Sequence, residues 1–325
     1  MKTIIRPLPF VLASTSTGTM ILNHQDYQTD ASGNTYGVGY QYLSKSSFDP
    51  EEIELVLHLL NLRRERYGDG VVALDCGANI GAHTIAWGIE MTDWGSVISF
   101  EAQERIYYAL AGNVAINNCF NVKAVHAALG NVDLAADKRP MLDIPIVDYT
   151  KHASFGSLEL KFSEKNEFIG QKIDYTKTQK VPLVSIDSLE LPRIDLMKMD
   201  VEGMEEEVLN GAMNSIRQHK PILCVEILKS GGAKISNMLK PLGYEFFTFD
   251  INLLAIHKDD LILSDIAAED PSDYRLMAKR LWNAGEKREA VHNFITYLKK
   301  RGSDKTNGDT YKIKPFHPQV DESKF

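Results

Sequence analysis

Cysteine, positive charge and long apolar runs are all scarce in this 325-residue sequence. The three cysteines, Cys76, Cys119 and Cys224, are too few and too widely spaced for a disulfide framework or a zinc site, which favours a reducing compartment. Lysine and arginine number 36 against 44 aspartates and glutamates, so the formal net charge is −8. Because nucleic-acid affinity depends on basic side chains, this balance argues against a protein that binds DNA or RNA.

No apolar stretch reaches the roughly 20 residues that span a bilayer. The first residues, MKTIIRPLPFVLAS, have something of the composition of a signal peptide, but Arg6, Pro7 and Pro9 interrupt the apolar stretch. We therefore expect a cytoplasmic protein with no membrane partner.

From Val71 onward, apolar strand-like segments alternate regularly with helical ones. The strand-like segments are VVALD, VISFEA, VKAVHAALG, DLMKMD and PILCVEI. Uninterrupted apolar strands between helices are typical of a parallel sheet that is covered on both faces. Two last segments, YEFFTFD and NLLAIHKD, are separated by about one residue, which predicts a tight antiparallel hairpin at the end of an α/β sheet.

Residues 1–70 predict an extension that precedes this α/β domain. TMILNHQDY and YGVGYQYL flank the turn-prone segment QTDASGN, which predicts a hairpin with Tyr36, Tyr40 and Tyr42 alternating along its second strand. A helix should follow, with Asp49 as its N-cap and Gly68 at its end.

Two further regions interrupt or follow the alternation within the predicted catalytic domain, 71–260. Residues 131–185 are polar and irregular and predict a substrate-side insertion. Residues 261–325 predict a helical appendage and a tail. Its helix pair, 272–301, resembles a single tetratricopeptide-type unit, which cannot bury its own apolar face and so predicts packing on the main domain, a protein partner or self-association.

The strongest functional signal is a glycine-containing turn between two strands. The first strand ends at Asp75, the turn contains Gly77, Asn79 and Gly81, and the second strand ends at Glu101, 20 residues after the last glycine. Glycine lets the backbone approach a ligand closely, and a carboxylate at the second strand end can accept both hydroxyls of a ribose. This order is typical of a site for a nucleoside cofactor.

The turn lacks the G-x-G-x-x-G pattern that seats a pyrophosphate, and Asp75 would repel one. Two carboxylates with no basic residue in the turn favour a cationic cofactor without phosphate, S-adenosylmethionine. An NAD-dependent oxidoreductase is the alternative among enzymes. The predicted cofactor-binding residues are Asp75, Gly77, Ala78, Asn79, Gly81, Glu101, Ala102, Gln103 and Asp200.

The acceptor side is predicted from Asp200 and Glu202, which follow another strand end, and from Glu226 on the same rim. The Asn/Asp-Pro-Pro-aromatic loop that holds an amine in many methyltransferases is absent. Carboxylates suit a hydroxyl acceptor instead, so Asp200, Glu202 and, in the insertion, His152 are the candidate catalytic residues. For Glu202, stabilisation of a helix N-terminus is an equally good explanation. No ligand spacing predicts a metal site.

ALDCGANIGAHT, VISFEA, VKAVHAALGN, SIDSL, DLMKMDVEGMEEEVLNGA and KPILCVEI together resemble the FkbM family of methyltransferases, over about residues 71–260. The resemblance implies a class I methyltransferase fold, which is a Rossmann-like doubly wound sheet of seven strands with the last antiparallel. It also implies S-adenosylmethionine as the methyl donor and, typically, O-methylation of a sugar or natural-product hydroxyl. We therefore expect an O-methyltransferase for a small molecule or glycan. A non-catalytic adaptor acting through the C-terminal helices is the alternative outside the enzymes.

Overall fold

The computed structural model describes residues 6–132 and 139–264, together with the backbone of Lys314–Pro315. The predicted helix pair at 272–301 lies outside the described residues. Within them, no helix has both the length and the apolar character needed to cross a membrane.

The secondary-structure elements are numbered in chain order. The strands are β1 Phe10–Ser14, β2 Thr19–Asn23, β3 Gln28–Thr29, β4 Thr35–Tyr36, β5 Val71–Cys76, β6 Gly95–Glu101, β7 Val122–His126, β8 Ala128–Leu129, β9 Met141–Pro145, β10 Thr178–Val184, β11 Leu196–Met199, β12 Ile222–Glu226, β13 Tyr244–Phe249, β14 Asn252–His257 and β15 Lys314–Pro315. The helices are α1 Val38–Lys45, α2 Pro50–Tyr67, α3 Ala82–Glu90, α4 Glu104–Ile116, α5 Glu205–Asn210, α6 Met213–His219 and α7 Gly232–Leu239.

A mixed sheet with the order β15-β13-β14-β12-β11-β5-β6-β7 forms the centre of the molecule. The strands β5, β6, β7, β11 and β12 are parallel to their neighbours in this set, whereas β14 runs antiparallel to both β12 and β13. This order confirms the predicted doubly wound sheet of seven strands with the last antiparallel. The short strand β15 adds an eighth member at the β13 edge.

Helices cover both faces of the sheet, which explains why its parallel strands are apolar without interruption. On one face, α2 and α3 bury Leu59 and Trp87 against the strands. On the other face, α5, α6 and α7 bury Leu209, Ile216 and Ile235. The polar side chains of the central strands are therefore confined to the strand ends and a few buried positions.

The N-terminal extension differs from its prediction in one element. Strands β1 and β2 pair with each other, and the predicted turn is closed only by the two-residue strands β3 and β4. The segment after Tyr36, predicted as a strand, is the helix α1. Val38 and Tyr42 are both buried, and their spacing of four residues places them on one helix face. The alternating tyrosines concealed this helical spacing.

The insertion and the extension pack together. In the insertion, β9 pairs with β10, and β10 pairs with β8 to make a small three-stranded sheet. Between β9 and β10, the buried Phe155 packs in one apolar cluster with Met20 and Val38 of the extension. This combined layer lies at the carboxyl ends of the central strands, where parallel sheets bind ligands.

Candidate functional site

A cavity of about 390 Å³ lies at the carboxyl ends of β5, β6, β11 and β12, within the size range of small-molecule sites. Its floor contains the glycine turn that follows β5. Its walls come from residues 36–52 of the extension and residues 154–167 of the insertion. The predicted residues Asp75, Gly77, Ala78, Asn79, Glu101, Ala102, Gln103, Asp200 and Glu202 all line it.

The glycine turn allows two strand ends to approach each other closely. Gly77 has a φ of +84°, and a Cβ built on it would lie 1.9 Å from the carbonyl oxygen of Asp200. Gly81 has a φ of +92° and precedes α3, where a Cβ would lie 2.6 Å from Leu110 Cδ1. Gly77 therefore shapes the cavity floor, whereas Gly81 allows α3 to pack against α4.

Two buried carboxylates flank this turn. Asp75 Oδ2 accepts a hydrogen bond of 2.5 Å from the Thr84 hydroxyl. Glu101 accepts the backbone N–H of Asn79 at 3.0 Å and that of Gln103 at 2.7 Å, one on each oxygen. Burial raises the pKa of Glu101 to about 7. Both carboxylates line the cavity.

A buried lysine organises the other side of the cavity. Lys198 lies in β11, is 4% exposed, and places its Nζ 3.2 Å from Asp200 Oδ2 and 3.5 Å from Glu52 Oε1. Although burial opposes it, attraction from Asp200 and Glu52 raises the pKa of Lys198 well above its usual value. Lys198 is therefore a fixed positive charge between two carboxylates.

Glu226 and Asp200 form a carboxyl pair beside Lys198. Burial, together with repulsion from Asp200 and Glu202, raises the pKa of Glu226 to about 10. A hydrogen bond between the two carboxyl groups also favours the protonated form of Glu226. Asp200 is thus held from two directions, by an ammonium and by a carboxylic acid.

Glu52 was not predicted as a site residue, because a glutamate in the first turn of a helix usually interacts with the helix dipole. In the structure it lines the cavity and accepts a hydrogen bond of 3.1 Å from Asn252, and its Oε1 lies 3.3 Å from His83 Nε2. Despite burial, Lys198 and His83 lower the pKa of Glu52 to about 2. Asp49 is the N-cap residue of α2, as predicted, but its side chain makes no capping hydrogen bond and lines the cavity.

Glu202 is tied to the insertion. Its Oε2 lies 2.5 Å from Lys229 Nζ, and the same ammonium lies 3.5 Å from Glu159 and 3.6 Å from Glu167. Lys229 also donates to the Ser157 carbonyl oxygen at 3.2 Å. Burial and repulsion from Asp200 raise the pKa of Glu202 to about 8. Glu202 thus both lines the cavity and anchors the lysine that holds one wall.

His152 is not brought together with Asp200 and Glu202. Its ring is exposed and stacks on Tyr27 with the ring centroids 5.4 Å apart, and it does not line the cavity. The backbone bridge between Asp26 and Ala153 turns Ala153 inward and therefore leaves the preceding side chain outward. Among the residues with described positions, no group of three or more histidine, cysteine or acidic side chains is suited to hold a metal ion.

Comparisons with known proteins identify a family model that matches this chain. The model of the methyltransferase FkbM domain matches residues 75–246, which is more than half of the chain. Methyltransferase 1 of Beauveria bassiana (strain ARSEF 2860) is 24% identical over 221 residues, which are 66% of this chain and 83% of that protein.

Two solved structures also match parts of this chain. One is a methyltransferase FkbM from Methylobacillus flagellatus KT, with 15% identity and a TM-score of 0.39, in a match that covers 58% of this chain and 44% of that one. This chain therefore spans less than half of that solved chain. The other is a precorrin-6y C5,15-methyltransferase from Geobacter metallireducens GS-15, with 14% identity and a TM-score of 0.35, covering 66% of this chain and 89% of that one.

Proposed function

Because this chain belongs to the FkbM family of methyltransferases, we propose that it transfers a methyl group from S-adenosylmethionine to a hydroxyl oxygen of a small molecule or glycan. The family match confirms the methyltransferase class and the cofactor that the sequence predicts. The oxygen acceptor, the acceptor class and the residue roles below are our proposal.

The donor residues fit a sulfonium cofactor with a ribose. Asp75 would attract its positively charged groups, and Glu101 would accept hydrogen bonds from the ribose hydroxyls through the lone pairs that its backbone donors leave free. Gly77, which has no Cβ, lets the Asp200 backbone approach the turn closely, so that the turn and Asp200 lie side by side in the cavity floor. When bound, S-adenosylmethionine supplies an activated methyl group, and its sulfur keeps the electron pair of the broken S–C bond.

Asp200 is the proposed general base, and its environment is the observation that carries the proposal. It lines the cavity with its Oδ2 3.2 Å from the Lys198 ammonium and with Glu226 beside it. Asp200 would accept the hydroxyl proton as the acceptor oxygen forms its bond to the methyl carbon. The proton gained at Asp200 replaces the positive charge lost at the sulfur, so the net charge of the cavity stays constant.

The remaining charged residues on this side of the cavity would orient Asp200 and keep water out. Lys198 would hold the Asp200 carboxylate in place through the ion pair at 3.2 Å, and Glu52 would orient the Lys198 ammonium from 3.5 Å. Lys229 holds Glu202 and the insertion together, which closes a wall against solvent. Orientation of this kind can contribute about 7–11 kcal/mol to a bimolecular transfer.

The test combines binding and product analysis. Titration calorimetry should show that S-adenosylhomocysteine binds the full chain, and it should raise the melting temperature where NAD does not. S-adenosylmethionine carrying a ¹³C-methyl group is then incubated with a panel of hydroxyl compounds, and the carbon chemical shift of the product identifies an O-methyl group. Stabilisation by NAD alone would contradict the methyltransferase proposal, and a methyl group found on nitrogen would contradict the oxygen acceptor.

The affinity for S-adenosylhomocysteine should depend on pH through Glu101. The pKa of this buried carboxyl is about 7, and the ionised form is the better acceptor for two ribose hydroxyls. Affinity should therefore fall as the pH falls below 7, by up to about tenfold per pH unit. Glu101→Gln should bind more weakly and lose this dependence between pH 6 and 8, as measured by calorimetry.

The matched control is Glu104→Gln, three residues further along in the first turn of α4 and outside the cavity lining. It should keep both the affinity and the pH dependence of the unmodified protein. A pH dependence that survives in Glu101→Gln would assign the titration to another group.

A further inference from the structure

Residues 154–158 of the insertion form a roof over the glycine turn, and we refer to them as the roof segment. Ser154, Gly156, Ser157 and Leu158 line the cavity, whereas the Phe155 side chain is fully buried on the opposite side. A Cβ built on Gly156 would lie 3.1 Å from Asn79 Nδ2. The roof segment is therefore close to the turn on which the cofactor is proposed to sit.

The backbone of Phe155 fixes the roof segment on two sides, through its carbonyl oxygen and its N–H. Its carbonyl oxygen accepts a hydrogen bond of 2.9 Å from the Gln103 side chain. The backbone N–H of Gln103 in turn donates to Glu101. On the other side, the N–H of Phe155 donates to Asp26 Oδ1 at 3.0 Å. The proposed ribose-binding carboxylate is thus linked to the roof segment through Gln103, and the roof segment is linked to the extension through Asp26.

Asp26 is buried, and its contacts link the roof segment to the extension. Its second oxygen accepts the N–H of Gly39 at 3.1 Å, at the start of α1. Its own backbone carbonyl accepts the N–H of Tyr40 at 3.0 Å, and its backbone bridges to Ala153. Burial raises the pKa of Asp26 to about 6, so at pH 7 the group is ionised and is a strong acceptor for its two backbone donors. Asp26 does not line the cavity.

We propose that Asp26 is a positioning residue for cofactor binding: it fixes the roof segment over the glycine turn by holding the Phe155 N–H and the start of α1 together. The inference rests on the proposed cofactor site. Asp26 lies well before residues 75–246, the part of the chain that matches the family. Because it is outside the cavity, its removal can affect the cofactor only through the roof segment and α1.

The test replaces Asp26 by asparagine, which keeps the side-chain volume but turns one acceptor oxygen into an NH₂ group that faces a backbone N–H. The affinity for S-adenosylhomocysteine, measured by calorimetry at pH 7.5, should fall roughly 10- to 100-fold, the effect of losing a hydrogen bond to a charged group. The control is Asp30→Asn, whose exposed carboxylate bonds only within its own turn, to Ser32 and Asn34. It should bind as the unmodified protein does.

Hydrogen exchange separates positioning from a general loss of stability. In the unmodified protein, adding S-adenosylhomocysteine should slow exchange of the backbone amides of residues 154–158, and in Asp26→Asn this ligand-dependent protection should be lost. If adding the ligand does not change the amide exchange rates of the roof segment in the unmodified protein, the inference is overturned, even if the variant does not fold. Equal affinity in a folded Asp26→Asn would also overturn it. Failure of the unmodified protein to bind the probe would instead contradict the proposed function.

Discussion

Replacing Gly77 by alanine should weaken binding of S-adenosylhomocysteine by roughly 100-fold or more, since overpacking and a left-handed alanine each cost about 1–3 kcal/mol. The added Cβ would lie 1.9 Å from the carbonyl oxygen of Asp200, and both residues directly follow the ends of neighbouring strands. Relief of the clash must separate those two strand ends. The separation would displace the cavity floor and Asp200 together, so cofactor binding and methyl transfer should both be lost.

Gly33→Ala is the matched control for this variant. Gly33 has a φ of +85°, close to the +84° of Gly77, but nothing lies within 4 Å of the Cβ that would be added. It carries the same backbone penalty without the clash. Comparing the two variants by calorimetry and thermal melting therefore isolates the effect of the clash with Asp200. Unchanged affinity in Gly77→Ala would show that the two strand ends can separate freely.

Asp200→Asn should lower kcat by about 10²–10⁴-fold, the usual contribution of a general base. Asparagine has nearly the same shape but cannot take the proton from the acceptor hydroxyl. It can still receive hydrogen bonds from Lys198 and Glu226 through its one remaining oxygen. The affinity for S-adenosylhomocysteine should therefore change much less than the rate, when rates are measured by transfer of a labelled methyl group.

Glu206→Gln is the control for this second variant, because Glu206 lies a few residues further along in α5 and pairs with Lys234 at the surface. It should leave both the rate and the affinity unchanged. If Asp200→Asn loses rate and affinity by the same factor, Asp200 acts in cofactor binding. If it loses neither, Asp200 is not the general base.

The central fold could be predicted from the sequence because burial on both faces leaves a local signature. Strands such as β5 and β12 are short apolar runs, and the hairpin of β13 and β14 has a break at Ile251. The helix α1 was missed because its short helical pattern, with Val38 and Tyr42 on one face, overlaps an equally regular alternation of tyrosines. Packing against the insertion decides between helix and strand here, and that packing cannot be predicted from the sequence of this segment alone.

The residues of the candidate site divide in the same way, into those that local sequence predicts and those that depend on packing between distant segments. The residues around Gly77 and Asp200 follow strand ends, so their place is set by local sequence and the rule for parallel sheets. Glu52 and Asp26 become relevant only when the extension folds over the cavity, where Glu52 meets Lys198 and Asp26 meets Phe155. Lys198 did leave a signal, since a lysine inside an apolar strand must find buried partners.

The extension supplies seven cavity-lining residues: Tyr36, Gly37, Val38, Gln41, Phe48, Asp49 and Glu52. All of them precede residue 75, where the match to the family begins. The glycine turn and this wall, which we propose to face the acceptor, are thus encoded in separate stretches of the chain. Under the proposed function, grafting residues 36–52 from a relative should change acceptor preference while the glycine turn stays intact.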